Sequence, residues 1–78
     1  MTRAQFGYRV DLFYRDPRGV DGFRKVSHRI VAYGDSDALR DARNAGVMVR
    51  TRPEPEFFVL RKVFRKHEEI IHDSRRDP

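Results

Sequence analysis

The first part of the chain alternates between apolar and polar positions. Between residues 5 and 14 one parity is apolar and the other is largely polar. A period of two over this length is typical of a half-buried β-strand, whose side chains point to the two faces of a sheet in turn. The residues predicted to face the core are Phe6, Tyr8, Val10, Leu12 and Tyr14. The opposite face then carries Gly7, Arg9, Asp11, Phe13 and Arg15.

A second strand is predicted after a stretch of turn-forming residues. Residues 16–22 contain Pro17, Gly19 and Gly22, and this composition indicates a turn. Residues 23–33 alternate again, so the two strands are expected to form a hairpin. The set on the core side is Val26, His28, Ile30 and Ala32, which makes His28 an expected hydrogen-bonded residue of the core. The other set is Phe23, Lys25, Ser27, Arg29, Val31 and Tyr33.

A helix is predicted next. Asp35 or Ser36 is suited to cap its first turn, and Asp37 suits the positive end of the helix dipole. An apolar stripe at helical spacing follows, and it consists of Ala38, Leu39, Ala42 and Ala45. Because most of these side chains are alanine, the helix is expected to lie close to a sheet. Gly46 is placed to end the helix in the left-handed conformation.

The last third of the chain has two interpretations. Residues 47–51 fit either a short strand or a continuation of the helix, and the prolines of residues 52–56 break both kinds of element. Residues 57–74 fit either a long amphipathic helix or a hairpin with strands at 57–65 and 69–73 and a turn at 66–68. The hairpin is the interpretation adopted. The predicted fold is α+β, in the order β-β-α-β-β, with a small antiparallel sheet and one helix packed on one face.

Length and composition limit the class of protein. We expect one domain over residues 1–74 and a loose tail over residues 75–78. The 78 residues include no cysteine, which excludes disulfides, thiolate catalysis and cysteine-based zinc sites and favours a cytoplasmic location. No apolar run approaches the roughly 18 residues of a membrane span, so no membrane partner is expected.

No pattern typical of catalysis or metal binding is present. Ser27 and His28 are adjacent, and on a strand their side chains would lie on opposite faces. His67 and His72 are spaced unlike a metal-binding pair, and the glycines of residues 18–22 lack the Gly-Lys-Ser/Thr of a phosphate loop. The sequence therefore predicts that the protein is not an enzyme and has no catalytic residues, metal ligands or cofactor.

The sheet face opposite the helix is the candidate binding surface, because it interleaves cations with aromatic rings. The predicted residues of this face are Arg9, Phe13, Arg15, Phe23, Lys25, Arg29, Tyr33, Arg61 and Arg65. In the other register the third strand would contribute Lys62 and Lys66 in place of its two arginines. Exposed apolar groups and arginines are typical of protein–protein contacts, so an unknown protein partner or self-association is predicted. The alternatives are nucleic acid bound by the same face, which the net charge of +5 permits, and a plain solvated surface.

Overall fold

The computed structural model shows four strands and one helix, and it describes residues 4–48 and 55–76. The elements in chain order are β1 (Phe6–Val20), β2 (Phe23–Ala32), α1 (Asp35–Met48), β3 (Phe57–Val63), β4 (Glu68–Asp73) and a 3₁₀ turn (Ser74–Arg76). All neighbouring strands are antiparallel, and their order across the sheet is β2-β1-β3-β4. The predicted α+β class is confirmed, and the last third of the chain forms the hairpin instead of an amphipathic helix.

The core lies between α1 and the sheet and is centred on β1. Tyr8, Val10 and Leu12 of β1 are buried together with Leu60 of β3, as the alternating pattern predicts. The helix contributes the small side chains of Ala38 and Ala42, which are fully buried and let the helix backbone approach the sheet. The result is a thin two-layer structure in which the helix covers one face of the sheet.

His28 does not lie in the core as predicted. It pairs with Val10 and therefore has the predicted orientation toward the helix side, but its side chain is exposed. The reason is that β2 lies at the edge of the sheet, where the described residues supply a neighbouring strand on one side only. Phe6 has the same parity as the buried residues of β1 and is nevertheless 41% exposed, with the Lys62 ammonium 4.2 Å from the centre of its ring.

The first hairpin turns later and more sharply than predicted. β1 continues through residues 16–20 to Val20, with a register irregularity between Arg15 and Val20. The turn itself consists of Asp21 and Gly22, whose φ angles of 54° and 82° are those of a two-residue hairpin turn. Gly19 is required for close packing, because a Cβ atom there would overlap the carbonyl oxygen of Phe23.

The ends of α1 and β3 also differ from the predictions. Gly46 lies inside α1, which continues to Met48, so it does not cap the helix; residues 49–54 lie outside the described residues. β3 ends at Val63 instead of residue 65, and residues 64–67 connect it to β4. A bond from the Phe64 N–H to the His67 carbonyl closes this connection at 2.8 Å, which explains how it turns without glycine or proline. No described helix is long and apolar enough to cross a membrane.

The start of α1 is tied to the sheet by a polar contact. The Tyr8 hydroxyl donates a hydrogen bond of 2.8 Å to Oδ1 of Asp35, and the Lys62 ammonium lies 3.8 Å from the same oxygen. The first helical hydrogen bond runs from the Ala38 N–H to the Gly34 carbonyl at 3.0 Å. Burial and the contact with Asp35 raise the pKa of Tyr8 to about 12.

This contact predicts a loss of stability in alkali. Because the folded state holds the neutral phenol, its contribution is complete below the ordinary pKa of 10.0 and is lost as the pH rises through about 12. We expect the free energy of unfolding to decrease as the pH rises from 10 to about 12. Urea denaturation at several pH values measures this decrease. Tyr8→Phe should lower stability by about 1 kcal/mol at neutral pH and flatten the alkaline fall. The control Tyr33→Phe, at an exposed tyrosine, should show the same alkaline decrease in stability as the wild type. An equally steep decrease in Tyr8→Phe would contradict the assignment of this effect to Tyr8.

Candidate functional site

The sheet face opposite α1, here called the outer face, is formed by alternate residues of all four strands. The registers place Arg9 opposite Arg29 on one side and opposite Arg61 on the other, and Phe13 opposite Lys25 and Phe57. The other pairs on this face follow from the same alternation. Its members are Gly7, Arg9, Asp11, Phe13, Arg15, Phe23, Lys25, Ser27, Arg29, Val31, Phe57, Val59, Arg61, Val63, Glu68, Ile70 and Asp73.

Two of the predicted site residues do not lie on the outer face. Tyr33 follows the last residue of β2, in the bend before α1, and is exposed there. Arg65 lies in the connection between β3 and β4, because β3 ends two residues earlier. The structure brings together the remaining predicted residues, which are Arg9, Phe13, Arg15, Phe23, Lys25, Arg29 and Arg61. The register also selects Arg61 for this face and leaves Lys62 on the helix side.

Asp11 lies at the centre of the outer face and is only 1% exposed. Ser27 of β2 donates a 2.6 Å hydrogen bond to Oδ1, and Nε of Arg61 on β3 donates one of 3.3 Å to Oδ2. The Arg9 guanidinium adds a third contact, with Nε 3.2 Å from Oδ1. One carboxylate from β1 therefore joins the three neighbouring strands, which is the arrangement that a buried charge requires.

The ion network extends from Asp11 to the far edge of the sheet. Nη1 of Arg9 donates a 2.8 Å hydrogen bond to Glu68 of β4. Nε of Arg9 is buried, and its contact with Asp11 has the distance of an ion pair but not the angle of a hydrogen bond. We therefore regard that contact as electrostatic. Two arginines that the alternating pattern assigns to an open cationic surface, Arg9 and Arg61, are thus bound to carboxylates of the same face.

Three phenylalanines form a cluster near the β1–β2 turn. The rings of Phe13 and Phe57 are stacked with centroids 4.4 Å apart, and Phe23 meets Phe57 edge-on at 5.3 Å. The Arg75 guanidinium lies over Phe57, 4.3 Å from the ring centre. These rings border a groove of about 480 Å³, within the size range of binding clefts. Its full lining is Phe13, Val20, Asp21, Phe23, Lys25, Phe57, Val59, Arg61 and Arg75.

Arg75 is held in place by Asp73. Its Nε and Nη2 atoms donate hydrogen bonds of 3.0 Å and 2.6 Å to the two carboxylate oxygens, and its backbone N–H donates another of 3.1 Å. The side-chain hydrogen bonds hold the pKa of Asp73 below its usual value. The folded unit therefore reaches Arg76, past the start of the tail that the sequence predicts at residue 75, and it supplies the groove with a cation that the pattern did not reveal.

A second hollow lies at the other end of the outer face, above Gly7. It measures about 370 Å³ and is bordered by Val31 and Val63, with Arg9 between it and the phenylalanine cluster. Gly7 leaves open space there, because nothing lies within 4 Å of the position its Cβ would occupy. Val31 is 60% exposed and Ile70 of β4 is 59% exposed. Aliphatic side chains with this exposure on a β-sheet are typical of a surface that another chain covers.

The adjacent Ser27 and His28 are not arranged as a nucleophile and its base. Ser27 donates its hydroxyl proton to Asp11, while His28 lies on the opposite face of the strand. In residues 4–48 and 55–76 no group of three or more histidine, aspartate or glutamate side chains is arranged to hold a metal ion. What the face provides is apolar hollows, aromatic rings and fixed charges, which suit binding.

Comparison of the chain with protein-family models, with curated proteins and with solved structures found no match.

The Asp11 network predicts a specific loss of stability. Asp11→Ala removes the carboxylate that accepts hydrogen bonds from Ser27 and Arg61 and forms an ion pair with Arg9. Removing one partner of a buried pair costs about 3–5 kcal/mol, but both arginines are about one-third exposed and can regain water, so we expect about 2 kcal/mol. Urea denaturation measures this loss.

Asp41→Ala is the matched control for the Asp11 variant, since Asp41 is a half-exposed carboxylate of α1 beside Arg40. It should change stability by less than about 0.5 kcal/mol. Equal losses in the two variants would show that the network does not support the sheet.

Proposed function

We propose that the protein is a non-catalytic binding module whose outer face binds another protein. The observation that carries this proposal is the combination of a phenylalanine-lined groove and exposed aliphatic side chains on the sheet face that none of the described elements covers. Aromatic and arginine side chains at the border of a groove are typical of the residues that contribute most to protein–protein affinity. The groove gives a partner's apolar side chain a place to lose its contact with water.

Nucleic acid is the alternative ligand, and Lys25 and Arg29 are the observation in its favour. Both are exposed, and no ion pair within the described residues includes either. Two features weigh against it. Bases need open ring faces, whereas Phe57 is stacked on Phe13 on one side and covered by Arg75 on the other. Phosphates need free cations, whereas Arg9 and Arg61 are bound to Asp11.

A second copy of the chain is a less suitable partner than a different protein. The outer face and its border carry an excess of cations, and the carboxylates of Asp11, Glu56, Glu68 and Asp73 are already bound to arginines of the same copy. Two such faces in a symmetric contact would bring like charges together. A partner with exposed carboxylates around an apolar side chain would complement the face better.

Position-specific photocrosslinking tests the proposal. Val31 of the outer face is replaced by benzoylphenylalanine in one version, and Arg40 of α1, which is also exposed, is replaced in the control. In cells that produce the protein naturally, we expect discrete protein crosslinks from position 31 and none from position 40.

The other outcomes of this experiment indicate a different ligand, or none, for the outer face. A product at twice the chain mass would identify the partner as a second copy. Crosslinks that disappear after nuclease treatment would overturn the proposal in favour of nucleic acid. Equal products from both positions, or none from position 31, would show that the outer face is not a protein-binding surface.

A further inference from the structure

β2 is an open edge of the sheet. It pairs with β1 in an unbroken register along its 10 residues, from Phe23 opposite Arg15 to Ala32 opposite Phe6. In the part of the chain that the structure describes, no strand pairs with its other side. A regular edge strand presents a row of backbone N–H and C=O groups that can take up another extended chain.

The side chains of this edge are cationic. β2 contains Arg24, Lys25 and Arg29, all exposed, and it contains no carboxylate. Lys25 and Arg29 lie on the outer face on either side of Ser27. On the helix side, the Arg24 guanidinium lies 5.8 Å from the centre of the Tyr14 ring. Among the cations of the outer face, Lys25 and Arg29 have no carboxylate partner in the described residues, and both lie along the open edge.

The cations of β2 determine which kind of strand can pair with its open edge. If two copies paired through β2 in antiparallel fashion about Ser27, Lys25 of one copy would oppose Arg29 of the other. Like charges directly opposite one another destabilise a strand pair, and edge cations are a common protection against self-pairing. The same cations stabilise a neighbouring strand that places carboxylates opposite them.

We propose that the open edge of β2 binds an extended acidic segment of a partner protein as a fifth strand. The inference rests on the proposed function, since every second side chain of that segment would extend the outer face. The residues that β2 contributes to the outer face are, in order, Phe23, Lys25, Ser27, Arg29 and Val31. The complementary segment carries apolar, acidic, small polar, acidic and apolar side chains at alternate positions. This order is the same in both directions, so it suits a parallel or an antiparallel strand.

A synthetic peptide tests the backbone part of the proposal. The probe is the capped, dye-labelled nonapeptide Val-Thr-Glu-Thr-Ser-Thr-Glu-Thr-Val, and its binding to the full chain is measured by fluorescence anisotropy at low salt. Two further peptides carry N-methyl groups, one on the threonines and the other on the remaining residues. Strand addition uses alternate N–H groups of the peptide, so we expect one methylated peptide to bind like the parent and the other not to bind. Equal binding of both would overturn strand addition.

Charge reversal tests the side-chain part. The double variant Lys25→Glu/Arg29→Glu should weaken binding of the parent peptide at least about tenfold, since two attractive cross-strand pairs become repulsive. It should also bind a peptide with lysines in place of the glutamates better than the wild type does. The control Arg65→Glu/Lys66→Glu makes the same change of net charge in the β3–β4 connection and should leave the affinity within about twofold. An equal loss in the control would overturn the assignment to β2.

The two proposals fail in different ways. If the wild type binds none of the peptides while crosslinks from position 31 persist, the acidic-strand inference is overturned and the outer face remains a binding surface. If those crosslinks are absent as well, the proposed function is overturned with it.

Discussion

The carboxylate of Asp11 holds together the side of the sheet that the helix does not cover. It is 1% exposed, and its contacts come from β1 itself, from β2 and from β3. Residues 4–48 and 55–76 contain one α-helix, and it covers one face of the sheet. On the other face, the stems of Arg9 and Arg61 shield the sheet while their charged ends meet at Asp11. The outer face therefore carries an ordered network of charges in its middle and apolar side chains at both ends.

This network changes the meaning of the basic charge of the chain. Arginines that alternate with aromatic rings indicate a surface for anions, but Arg9, Arg61 and Arg75 each have a carboxylate partner on the same face. Such arginines give the face rigidity and contribute little free positive charge. Lys25 and Arg29, both on β2, have no such partner among the described residues, so the unpaired positive charge of the outer face lies at the β2 edge of the sheet.

The alternating pattern predicted the faces of β1 and β2 because side-chain orientation on a strand is a local property. It could not predict what depends on sheet order and register. His28 has the predicted orientation but is exposed because it lies on an edge strand. Arg61, and not Lys62, lies on the outer face because β3 pairs with β1 in the register that places Arg61 opposite Arg9. The position of Asp11 on the outer face follows from parity, yet Arg61, which donates to its carboxylate, lies 50 residues away in the chain. For the first turn a local signal existed, the Asp21-Gly22 pair, and Pro17 and Gly19 obscured it.

The division of the outer face has a consequence for specificity. The Asp11 network separates the phenylalanine-lined groove from the hollow above Gly7, so one large apolar patch is replaced by two smaller ones. A purely apolar partner that covered the network would remove water from the charges of Asp11, Arg9 and Arg61 and give them no new contact. The cost of this desolvation would not be compensated. On the proposed function, a partner would have to supply polar groups over the middle of the face and apolar groups at its ends. That requirement excludes indiscriminate apolar association, which a thin sheet with an uncovered face would otherwise invite.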